Sequence, residues 1–110
     1  MDNADLEKQF NLISLAGTAK SLAYDAINKA ADGDYDGAKE DLKQSDEILG
    51  KTHDIQVGDI QDLVNGDDSK KINLIDVHAQ DHLMSAIEVR NLSEIIINMY
   101  QKLRSENKHE

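Results

Sequence analysis

The chain has no cysteine, no proline and no tryptophan in 110 residues, and only four aromatic side chains, Phe10, Tyr24, Tyr35 and Tyr100. Without cysteine there is no disulfide framework, no thiol nucleophile and no cysteine-ligated zinc or iron–sulfur centre. Without proline nothing forces a break inside a helix, and with so few rings the core must be aliphatic. Cations are scarce as well: 12 Lys and Arg stand against 22 Asp and Glu, a formal net charge of −10. Nucleic acid and anionic membrane surfaces are repelled by such a balance. The densest basic stretch, Ser69-Lys70-Lys71, directly follows Asp67 and Asp68. No apolar run approaches the ~20 residues of a membrane span, and Met1-Asp2-Asn3-Ala4-Asp5 lacks the basic-then-apolar order of a signal peptide. The expectation is a soluble, cytoplasmic protein with one domain over residues 1–110.

What is present repeats at the helical period. Leu6, Phe10, Ile13, Gly17, Lys20, Tyr24 and Ile27 recur at spacings of three and four, and Ala16, Ala19, Ala23, Ala26 and Ala30 widen that stripe. Ala31-Asp32-Gly33-Asp34 is a turn sequence with glycine placed to end the helix. A second helix is predicted over 34–65 from Ala38, Leu42, Ser45, Ile48, Leu49, Thr52, Ile55, Ile60 and Leu63. The polar run Asn65-Gly66-Asp67-Asp68-Ser69 is the second break. A third helix over 72–108 carries Leu74, Ile75, Val77, Met84, Ile87, Val89, Leu92, Ile95, Ile96, Met99, Tyr100 and Leu103 around much of its circumference. Such a helix must be buried on more than one side. A lone three-helix hairpin has too little girth for that, so the pattern predicts an all-α chain that self-associates.

Two segments carry possible chemistry. Asp32-Gly33-Asp34-Tyr35-Asp36-Gly37 opens like a calcium loop, but its twelfth position is Lys43, where a bidentate carboxylate is needed. A turn followed by an acidic helix start explains the same residues. In Val77-His78-Ala79-Gln80-Asp81-His82-Leu83-Met84, helical spacing puts His78, Asp81, His82 and Ser85 on one face. Three readings fit: a solvated polar face, a His-x-x-x-His zinc pair formed by His78 and His82, or a nucleophilic histidine. The zinc reading lacks the glutamate of a zinc protease, since Ala79 follows the first histidine. A neutral imidazole is a good nucleophile, and an ordinary pKa of about 6.5 makes that form abundant near neutrality. His53, with Gln56 three residues on, adds a weaker candidate pair on the second helix.

The Val77–Met84 segment resembles the active-site segment of the lactose/cellobiose-type enzyme IIA of the bacterial phosphoenolpyruvate-dependent sugar phosphotransferase system. Ala16-Gly17 with Ala19 and Ser21, the Ala30–Tyr35 turn, and His53 with Gln56 resemble further parts of the same family. The resemblance implies three long antiparallel helices per chain, assembled as a trimeric nine-helix bundle. It implies that His78 accepts a phosphoryl group from the phosphohistidine of HPr and passes it to a cysteine of the IIB component, with the IIC permease engaged only indirectly. His82 and Gln80 correspond to polar neighbours of the phosphate. Asp81 corresponds to an aspartate that meets its two symmetry mates at the trimer axis and binds a divalent metal, for which Mg²⁺ suits the oxygen ligands. A position near a helix start would add unpaired N–H groups to the phosphate's surroundings.

Overall fold

The computed structural model describes residues 2–66 and 71–107. Within them the chain forms three helices: α1 (Asn3–Ala31), α2 (Tyr35–Val64) and α3 (Leu74–Asn107). They run up, down and up, in a rod measuring 65 × 22 × 19 Å. Local chemistry sets the boundaries. The Asp2 carboxylate accepts from the Asp5 N–H at 2.8 Å and opens α1. Asp34 does the same for α2, accepting from the Gly37 N–H at 2.9 Å. Between them Gly33 adopts φ +86°, the left-handed geometry that follows a helix end. The calcium-like sequence is therefore a turn and a cap. The second break begins with a turn at Asn65–Gly66. Its remainder, the Ser69-Lys70 part of the basic stretch and the expected helix end at Lys108 lie outside the described residues.

The packing face of α1 is narrower than the apolar pattern and displaced from it. Leu12, Ala16, Ala19, Ala23, Ala26 and Ala30 are fully buried, with Gln9. The larger Leu6, Phe10 and Tyr24, expected to share that stripe, stand exposed to one side. Alanines bring backbones close, and α1 thereby packs equally against both other helices, which touch each other little. On α2 the buried positions are Ala38, Asp41, Leu42, Ser45 and Thr52, while Ile60 and Leu63 are exposed where the helix leaves the core. Ser45 Oγ donates to the Ala19 carbonyl at 2.9 Å, so the tight α1–α2 contact leaves no orphan hydroxyl. Lys29 pairs with the buried Asp41, and that hydrogen bond holds its ammonium above the ordinary lysine pKa.

On α3 the residues facing the hairpin are Ala79, Leu83, Ala86, Ser93 and Ile97. Val77, Met84, Leu92, Ile95, Met99 and Leu103 point the other way and remain exposed. The third helix thus keeps an uncovered apolar side, as its sequence pattern implied. Across the far end, Arg104 Nη2 donates to the Ala31 carbonyl at 2.6 Å and ties α3 to the first turn.

Close packing along the alanine stripe predicts that Ala23→Leu destabilises the chain by about 1–3 kcal/mol, because the three added side-chain carbons have no space between the helices. Tyr24→Leu, one residue away on the exposed side, should change stability by less than about 0.5 kcal/mol. Urea unfolding of the two variants measures the contrast.

Candidate active site

The histidine segment lies in the second turn of α3. Asn73 caps that helix: its Oδ1 accepts from the N–H groups of Ile75 at 3.1 Å and Asp76 at 3.3 Å. Asp76 Oδ2 in turn accepts from the Asn73 N–H at 3.0 Å, closing a reciprocal capping box. The Val77 N–H goes to the Asn73 carbonyl. The amides of Ile75, Asp76 and Val77 are therefore already engaged, and His78 lies beyond them.

His78 is exposed and His82 partly so. Their Nε2 atoms face each other at 3.1 Å, with rings edge-on at 89° and centroids 4.5 Å apart. One of those nitrogens must carry a proton and the other a lone pair for this contact to form. The pair thus presents a proton donor beside a nucleophilic nitrogen on an open helix face. Asp81 is also exposed, on the side shared with Val77 and Met84. Among the described residues no third His, Cys, Asp or Glu joins the two histidines into a metal-binding group.

Gln80 points the opposite way from the histidines, toward α2. Its Nε2 donates to Asp59 Oδ2 at 3.4 Å, and its Oε1 accepts from Gln56 Nε2 at 3.4 Å. Asp59 also accepts from Lys8 Nζ at 2.6 Å and from the buried Gln9 at 3.2 Å. One carboxylate thereby ties α1, α2 and α3 together at the end that bears His78. Lys8, Gln9, Asp59 and Gln80 line an open groove of about 630 Å³ together with Ile60, Leu63 and Val77. Nothing in the local sequence announces Asp59, because its partners lie 50 residues away on α1 and 21 away on α3.

The second-helix candidates separate. Gln56 reaches the site's margin through Gln80 and the Met84 sulfur at 3.8 Å. Arg90 Nε bonds Asp46 Oδ1 at 2.6 Å, and this pair and Gln56–Gln80 both total 136 in residue number. That antiparallel register sets His53 opposite Leu83, five residues along α3 from His78. His53 is exposed there.

Removing the shared carboxylate should loosen this end of the rod. Asp59→Ala leaves the buried Gln9 amide without its acceptor, with an expected loss of about 1–3 kcal/mol. Asp59→Asn, which keeps an acceptor oxygen, should lose less. Denaturant unfolding ranks the two, and amide exchange should rise first around Gln9 and Gln80.

Known proteins share this fold. The family model described as "PTS system, Lactose/Cellobiose specific IIA subunit" matches residues 7–101. The chain is 37% identical to the lichenan-specific phosphotransferase enzyme IIA component of Bacillus subtilis, covering 86% of this chain and 84% of that protein. It is also 37% identical to the N,N'-diacetylchitobiose-specific EIIA component of Escherichia coli, covering 90% and 84%. The crystal structure of the cellobiose-specific enzyme IIA from Bacillus anthracis superposes with a TM-score of 0.87 at 34% identity, over 96% of this chain and 94% of that one. The E. coli IIA(chitobiose) solved in complex with HPr superposes at 0.77 and 34% identity, over 94% and 99%. A family model over residues 7–101, relatives at 37% identity and a solved structure covering nearly the whole chain agree: the protein belongs to the lactose/cellobiose-specific IIA family of the phosphotransferase system.

Proposed function

We propose that the chain is a phosphoryl carrier of sugar uptake, with His78 as its acceptor. The observation that carries this reading is the His78–His82 pair, held Nε2 to Nε2 on an exposed face within the IIA fold. With His82 as donor, His78 Nε2 holds the lone pair. That lone pair forms the new N–P bond, while the electron pair of the broken bond stays on the imidazole of phospho-HPr. His82 then turns its N–H from His78 to a phosphoryl oxygen, where charge makes the bond stronger. The protein contributes position and charge stabilisation. HPr as donor is supported by the chitobiose relative, which was solved with it. Onward transfer breaks the same N–P bond in favour of a cysteine sulfur on the IIB component, and the IIC permease is served indirectly. Among the described residues no helix is long and apolar enough to cross a membrane, consistent with a cytoplasmic carrier. Gln80 belongs to this reading as a support of the α3 start, given its bonds to Asp59 and Gln56.

The uncovered side of α3 supports a homotrimer. Val77, Met84, Leu92, Ile95 and Met99 form one apolar stripe along the helix, and Asp81 interrupts it with a carboxylate. Among the described residues one chain brings no three metal-binding side chains together, so Mg²⁺ would be held jointly by Asp81 of three copies. When bound, the cation offsets the mutual repulsion of the three carboxylates.

His78→Ala should abolish phosphorylation while leaving helix content and assembly intact. His82→Ala should slow loading by about 10- to 100-fold, the loss of one charge-assisted hydrogen bond. Intact mass after incubation with enzyme I, HPr and phosphoenolpyruvate reads both. An acid-labile phosphoryl that persists in His78→Ala would move the acceptor to His53 or His82. In sedimentation, chelator should weaken the wild-type trimer, and Asp81→Leu should keep the trimer and lose that sensitivity, since packing there replaces repulsion.

A further inference from the structure

Three cations that bridge helices or turns pair with carboxylates: Lys8 sits on Asp59, Lys29 on Asp41, and Arg90 on Asp46 and Glu94. Lys20 does not follow. It is partly buried between α1 and α3, and its Nζ donates to the neutral Ser85 Oγ at 2.9 Å. Ser85 is three residues after His82 and seven after His78, on the same α3 face. A positive charge therefore waits one turn from the histidine pair, held by a hydroxyl that neutralises none of it.

A second feature of α1 bears on the same place. Gly17 precedes Lys20 by one turn, in a helix interior where glycine costs about 1 kcal/mol relative to alanine. Packing within the chain does not account for it: Gly17 is exposed, and a Cβ built there meets nothing within 4 Å. Helical side chains lean toward the N-terminus of their helix. For Lys20 that direction passes over Gly17, and because α1 and α3 are parallel it also leads from Ser85 toward His82 and His78.

We infer that Lys20 is a phosphoryl-binding residue, whose ammonium leaves Ser85 for the phosphoryl oxygens on His78 once the group is loaded, with Gly17 keeping its path clear. The inference rests on His78 being the phosphoryl acceptor. The anion bound is a phosphoryl group carrying about −1.5 to −2 charge at neutral pH, and lysine meets it as a mobile point charge. Ser85 is the resting partner of the unloaded state.

Phosphorus NMR of protein loaded through enzyme I and HPr tests this, by titrating the phosphoryl group itself. A cation at its oxygens favours the dianion, so Lys20→Met should raise the second pKa of the phosphoryl by about one unit. Lys20→Arg should restore it to near the wild-type value. Ser85→Ala, which removes the resting contact only, should leave that pKa at the wild-type value. Gly17→Val should shift the pKa in the same direction as Lys20→Met without lowering the unfolding temperature. Equal phosphoryl pKa values in wild type and Lys20→Met would overturn the inference and reduce the Lys20–Ser85 bond to a tie between helices. Wild-type protein that takes up no phosphoryl at all would instead sink the carrier reading, and the inference with it.

Discussion

The distance at which α1 holds its two neighbours governs the rest of this molecule. A stripe of alanines from Ala16 to Ala30 lets α2 and α3 lie close against one helix, but it leaves them little reach toward each other. Alanine also contributes little apolar area per residue, so close approach and many small contacts take the place of large side chains. The larger aliphatic residues of α3 are then surplus to the hairpin. Their uncovered side is the direct consequence of a core built from small ones.

A smooth alanine surface specifies a face well and a sliding position poorly, because one alanine row fits another at several offsets. Polar ties supply the register. Ser45 on the Ala19 carbonyl fixes α1 against α2. Arg90 with Asp46 fixes α2 against α3, and the Asp46 hydrogen bond, opposed by burial and reinforced by Glu94, holds that guanidinium above its ordinary pKa. Asp59 joins all three helices beside the site. Each tie joins partners distant in sequence, and together they determine which residues can share the histidine face.

Much of this was legible beforehand, and the reasons differ by feature. The helical period, the Asp-Gly-Asp turn and the meeting of His78 with His82 depend on neighbours within a turn or two, and these emerge as expected. The choice of packing face on α1 was misleading, because Leu6, Phe10 and Tyr24 outrank alanine in hydrophobicity, whereas packing selected the residues that bring backbones together. The start of α3 is read little better from the sequence: Asn73 and Asp76 are plain polar residues there, but as a cap Asn73 takes the Ile75 and Asp76 amides and Asp76 the Asn73 amide. Asp59 and Lys20 were beyond reach altogether. Nothing near Asp59 in the chain marks it, and Lys20 falls within the apolar repeat of α1.

His78 lies near one end of a helix that continues to Asn107, and 29 further residues at ~1.5 Å each carry the helix about 44 Å beyond it. The far end is a handle. A fluorophore, spin label or surface tether attached near Arg104 would sit well outside the range of a transfer confined to two imidazoles in contact. It would report tumbling and assembly through one stiff rod while remaining a bystander to the chemistry.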